Sequence, residues 1–168
     1  VMRIGHVSLQ VMDMEASIRH YVDVVGMDVT HRGSDGTTYL KCWDEWDKYS
    51  IILTPSDAAR LNHIAYKVET DADLDVLGKR VADAGFAVTR SAAGELPFCG
   101  RSISFMLPSQ QRMYLFAQKD HLGKDVGVLN PDPLPDSRHG IVVHWLDHCL
   151  IFGELNPEKG INRVQESS

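Results

Sequence analysis

A chain of 168 residues with 43% hydrophobic and 24% charged residues suits one globular domain of ordinary size, or one built from two similar halves. Its net charge of −6, with no block of Lys or Arg, excludes a nucleic-acid partner, because neutralising phosphates needs a basic surface. No apolar run approaches the roughly 20 residues that cross a bilayer, no leader pattern opens the sequence, and Cys42, Cys99 and Cys149 form no disulfide pattern, so no membrane contact and a cytoplasmic location are expected.

The first element is "GHVSLQV", whose alternation of large apolar with small or polar residues predicts a half-buried strand starting at His6. Asp13 stands where an N-cap belongs, and Ile18, Tyr21, Val22 and Val25 follow at helical spacing up to Gly26, a plausible C-cap. Next, "DVTHRG" and "TTYLKCW" flank the turn "SDG", an Asp-Gly hairpin signal, and "YSIILT" supplies a further strand. The pattern then repeats. "NHIAYKV" places His63 as His6 was placed, 57 residues later. Thr70 or Asp71 caps a helix with Leu74, Leu77, Val81 and Ala84 on one face, and Gly85 ends it. "FAVTR", "RSISFML" and "RMYLFA" complete the second copy.

Each half therefore reads β-α-β-β-β. The fold class is α+β, with paired βαβββ modules forming a curved, partly closed sheet that buries its exposed face when the two copies pair. The expected boundaries are an N-terminal domain over residues 1–117, with modules over about 1–56 and 57–117, and a linker over 118–140 carrying Pro131, Pro133 and Pro135. Residues 141–168 begin a third copy: "WLDHCLIFGEL" reads as its opening strand and "NPEKGINRVQESS" as the approach to its helix. On this reading the chain is the N-terminal part of a longer protein whose C-terminal domain is cut short.

The segments "GHVSLQVMDMEASIRHYVDVVGM", "TTYLKCWDEWDKYSIIL", "AAGELPFCGRSISFMLPS" and "DHCLIFGELNP", in this order, resemble the extradiol ring-cleaving dioxygenases, most closely the catechol 2,3-dioxygenases. The resemblance implies the vicinal oxygen chelate fold of the glyoxalase, bleomycin-resistance and dioxygenase proteins. It also implies an Fe(II) cofactor in the intact enzyme, held by two His and one Glu with open positions for catechol and dioxygen. Catechol-type aromatic substrates, O2 and a homo-oligomer are the partners it implies. Two alternatives use the same fold: a non-catalytic binding module and a glyoxalase-like isomerase.

The resemblance maps the first iron ligand onto His148; the other ligands and the acid–base residues fall in sequence beyond this chain. The equivalent positions of the first two modules are His6, His63 and Tyr114. Tyr stands there where the chemistry wants a carboxylate, and a phenol of ordinary pKa near 10 is a poor ligand. The three read as vestigial metal positions, and no metal is expected on this chain alone. His144 and His148 make an HxxxH, a zinc alternative only on a helix, and the surrounding "IVVHWLDHCLIF" looks extended. Cys149 reads as a small core residue on the other face. Trp43, Trp46 and Tyr49 are expected to pack at the sheet edge, Asp44, Glu45 and Asp47 to form a solvated turn, and Arg101 to pair with Glu95 or face water. His20, His31, His121 and His139 have no constellation around them.

Overall fold

The structure, a computed structural model, describes residues 1–122 and 138–150. Eight strands occur in chain order: β1 (Arg3–Val11), β2 (Asp28–Arg32), β3 (Thr38–Lys41), β4 (Ile51–Pro55), β5 (Arg60–Lys67), β6 (Thr89–Ser91), β7 (Ser102–Met106) and β8 (Arg112–Phe116). They form one mixed sheet in the order β2-β3-β4-β1-β5-β8-β7-β6. The two halves are images of one another about the central antiparallel pair β1–β5. In each half, the first strand lies parallel to the last: β1 to β4, with Val7 opposite Ile51, and β5 to β8, with Ile64 opposite Met113. The sheet does not close on itself, ending on β2 and β6.

Both helices lie on one face. Helix α1 (Met14–Arg19) starts where Asp13 accepts a hydrogen bond from the Ala16 amide at 2.9 Å. It then widens into a π turn over His20–Val24, closed by Val25 N–H on the His20 carbonyl at 3.0 Å. The spacing predicts one regular helix to Val25. The carbonyls of Val24 and Val25, which have no partner within the helix, accept from the amides of Ile141 and Val143 at 2.8 and 3.3 Å. Helix α2 (Asp71–Asp83) opens with a capping box, Thr70 N–H donating to Asp73 Oδ2 at 2.9 Å and Asp73 N–H to Thr70 Oγ1 at 3.2 Å.

Under the helices sits the main apolar core, with Val7, Ile18, Leu40, Leu53, Ile64 and Met113 at its centre. On the opposite face the buried side chains include the aromatic and polar Tyr39, Tyr49, Phe116, His6 and His63 beside Ile52 and Ala65. Loop residues Leu96, Phe98 and Cys99 cover them.

Residues 138–150 differ from the expected opening strand. Among the described residues of this segment none is in a strand, and residues 151–168, with the expected helix approach, lie outside the described residues. Several backbone groups at the start of the segment are committed elsewhere. Besides the bonds of Ile141 and Val143, the His144 carbonyl accepts from Asp44 N–H at 3.2 Å and Leu146 N–H donates to Glu45 Oε1 at 2.9 Å. Val142 is buried there with a positive φ of 55°, a strained geometry for a β-branched residue, held by its packing. Gly26, at φ 83°, makes the approach possible, since a Cβ there would lie 2.6 Å from the His139 carbonyl oxygen.

Candidate functional site

The fold brings His6 and His63, the equivalent positions of the two modules, together. His6 is buried in the centre of β1, whose register against β5 shifts between Ile4 and His6 and again between Ser8 and Leu9. His63 sits diagonally across on β5, and the two Nε2 atoms approach to 3.0 Å. The Tyr114 ring, half-buried on β8, stands 4.7 Å from that of His63 between centroids. So the three equivalent positions meet on one face.

Their surroundings do not suit a metal. Lys119 reaches in just past β8 and places its ammonium 3.1 Å from His6 Nδ1, while donating to the carbonyls of Gly5 and Tyr49 at 3.0 Å each. The same ammonium lies 4.0 Å from the centroid of the Tyr49 ring and 4.9 Å from that of Phe116. Among the described residues no three His, Cys, Asp or Glu side chains gather in a way that could hold a metal ion. Burial sets the protonation of the cluster. It pushes His6 well below its ordinary value, helped by the charge of Lys119 and by His63. It pulls His63 down to about 4, with Arg112 and Lys119 adding to the effect. It also lowers Lys119 to about 8, against the opposing pull of Cys99 and Asp47. Both imidazoles are neutral at pH 7, and the lysine is largely charged.

Nothing local in the sequence marks Lys119, because strict alternation from Phe116 aims Gln118, not Lys119, at the histidine face. The strand ends at Phe116, and the bridge between Cys99 and Lys119 resets the alternation, leaving Gln118 exposed and Lys119 buried.

His148 lies away from this cluster. Its side chain is 87% exposed, and Nδ1 sits 3.0 Å from Asp147 Oδ2. His144 packs tilted against Trp43, with 5.2 Å between centroids, and Cys149 packs half-buried at the rim of the main core. The two histidines of the HxxxH are not on a helix.

Trp43 and Tyr49 are buried, as expected of packing residues, and Tyr49 O–H donates to the Pro97 carbonyl at 2.6 Å. The neighbouring turn is not the solvated one expected. Asp47 is buried and accepts from Arg3 at 2.7 Å, and Glu45 takes the amides of Cys42 and Leu146. An ion pair across 44 residues leaves no local trace in a sequence. With Trp46, Trp145 and Asp147 these residues line a cleft of about 440 Å³. Arg101 pairs with Asp75 at 2.8 Å and with the Asp71 carbonyl rather than with Glu95, clamping the start of α2 to β7. His121 stands 3.6 Å from Asp47, and His31 packs on Phe98. Among the described residues no helix is long and apolar enough to cross a membrane.

Residues 61–120 match the family model of the catechol 2,3-dioxygenase-like N-terminal domain. Over 155 residues the chain is 35% identical to metapyrocatechase of Pseudomonas sp. (strain CF600), covering 92% of this chain and 50% of that protein. A manganese-dependent 2,3-dihydroxybiphenyl 1,2-dioxygenase of Geobacillus genomosp. 3 is 29% identical over 163 residues, covering 95% of this chain and 50% of that protein. The crystal structure of the 2,3-dioxygenase LapB from Pseudomonas sp. KL28 superposes with a TM-score of 0.84 at 34% identity, over 98% of this chain and 56% of that one. The chain spans about half the length of the curated relatives it matches. With the duplicated βαβββ sheet, these likenesses make the chain similar to the extradiol ring-cleaving dioxygenases, residues 61–120 matching their catechol 2,3-dioxygenase-like N-terminal domain.

Proposed function

We propose that the chain is the N-terminal part of an Fe(II)-dependent extradiol dioxygenase that opens the ring of catechol or a substituted catechol. In that reaction the ring carbon–carbon bond beside the diol breaks and each of its carbons gains one oxygen atom. O2 is the oxidant and no outside reductant is needed. The observation that carries this reading is the likeness to LapB over 98% of the chain at 34% identity. The fold by itself would not carry it, because one fold hosts many activities.

Within this chain, His148 would supply one metal ligand through its ring nitrogen. Its exposure supports that role, since the imidazole is not tied up inside the domain, and Asp147 Oδ2 at 3.0 Å engages Nδ1 and leaves Nε2 as the nitrogen available to a metal. A bound metal would supply a charge on which the diol and O2 are held together. His6, His63 and Tyr114 take no part in that chemistry. The paired modules act as the scaffold that carries residues 138–150, through the Arg138–Asp28 ion pair at 2.6 Å and the bonds to Val24, Val25 and Glu45.

The test has two arms. The 168-residue chain, loaded anaerobically with Fe(II) and then mixed with catechol in air, should give no yellow ring-fission product above a protein-free control. The same protein extended to its relatives' length should turn over, and His148→Ala should abolish that turnover with the circular dichroism unchanged. Turnover by the short chain, or an active His148→Ala variant with full metal content, overturns the reading. Loading the longer protein with Fe(II) or Mn(II) identifies the metal.

A further inference from the structure

We propose that Lys119 keeps divalent metal out of the N-terminal copy of the site by fixing the protons of the His6–His63 pair. A lysine ammonium carries three hydrogens and no acceptor. Here the three point to the Gly5 carbonyl, the Tyr49 carbonyl and His6 Nδ1, at 3.0, 3.0 and 3.1 Å. His6 Nδ1 must therefore accept, and a neutral imidazole that accepts on Nδ1 carries its proton on Nε2. That Nε2–H faces His63 Nε2 at 3.0 Å. His63 must in turn accept there and carry its own proton on Nδ1.

The result is a directed chain from Lys119 to His6 to His63. Both nitrogen lone pairs that a metal could use between the rings are removed: one is protonated and the other occupied. To enter, a metal would have to turn the His6 proton around, strip Nδ1 of its donor and sit one imidazole away from a buried positive charge. Arg112, whose charge also reaches His63, adds a second repulsion. The half-buried Tyr114 offers no carboxylate to offset them. Two histidines at metal-ligand separation are thus kept as an internal hydrogen-bonded pair by one residue five positions beyond Tyr114.

The first measurement uses the unmodified chain. A long-range proton–nitrogen-15 correlation spectrum at pH 7 should show His6 protonated on Nε2 and His63 on Nδ1. Finding His6 protonated on Nδ1 overturns the proposal, because Lys119 could then donate nothing to it. The second uses Co2+ as a spectroscopic probe, in a His148→Ala background that removes the exposed histidine. The Lys119→Met variant should take up one Co2+ with ligand-field bands of imidazole coordination, about 10–100-fold more tightly than the Lys119 protein. Equal affinity in the two folded proteins overturns the role of Lys119. Should Lys119→Met fail to fold, the nitrogen spectrum of the unmodified chain decides.

Discussion

Acid should unfold this domain through His63. Its imidazole sits at about 4 in the folded protein against an ordinary 6.5, burial being the largest cause. A base whose folded value is depressed stabilises the fold fully above its unfolded value and loses that contribution as the pH falls toward the folded one. The window is therefore pH 6.5 down to about 4. A gap of roughly 2.5 units corresponds to about 3 kcal/mol, a large fraction of the 5–15 kcal/mol that holds a typical domain together. His6 shifts in the same direction, so the wild-type decline should be steeper than one proton explains. The assay is urea unfolding followed by circular dichroism at half-unit steps from pH 7 to pH 4, on the wild type and on His63→Asn. The variant starts less stable at pH 7. The gap should then close by about 1.4 kcal/mol per pH unit between pH 6.5 and 4, because only the wild type takes up that proton on unfolding. Parallel profiles would show that His63 is not held neutral, and the account of the buried pair would fall with it.

Three further perturbations bear on the packing. Gly5→Ala should cost about 1–3 kcal/mol, since its Cβ would lie 2.2 Å from Phe116 Cζ and that ring is fully buried. In a double-mutant cycle Phe116→Leu should recover part of the loss, and an additive pair would refute the clash. Thr70→Ala removes one arm of the α2 capping box and should lower stability by about 1 kcal/mol in chemical denaturation. Gly26→Ala should release residues 138–143, because the new Cβ would lie 2.6 Å from the His139 carbonyl and 2.7 Å from the Val142 nitrogen. Limited proteolysis should then cut faster within residues 138–150 while β1 to β8 stay resistant, and an unchanged digestion pattern would count against this docking.

What could be read from the residues was whatever repeats or alternates. The strand–cap–helix–strand order, the Asp13 and Thr70 caps and the equivalence of His6 and His63 all follow from local periodicity and the 57-residue offset between the copies. What could not be read depends on contacts between distant residues or on a change of register. Asp47 is exposed by composition but buried by Arg3, which lies 44 positions earlier. Arg101 prefers Asp75 on α2 to its close neighbour Glu95. Lys119 reaches the histidines only because the alternation slips after Phe116. The apolar run from Ile141 has the look of a strand, but its backbone is bound by the end of a helix, a partner no pattern of residue types announces.

The parallel pairing of each module's first and last strands has a consequence for synthesis on the ribosome. β1 finds β4 only after 44 residues separate Val7 from Ile51, and β5 must wait 49 residues from Ile64 for Met113. Such long closures are slow, and until they occur the flank of β5 is an open edge. The centre of the sheet, β1 against β5, therefore exists for some time with one side unprotected while residues 68 to 111 emerge. Pausing of translation within that stretch would expose a half-built sheet to other nascent chains. Release of β8 from the exit tunnel ends the exposure, so the yield of folded protein should respond more to elongation rate between residues 68 and 116 than anywhere earlier in the chain.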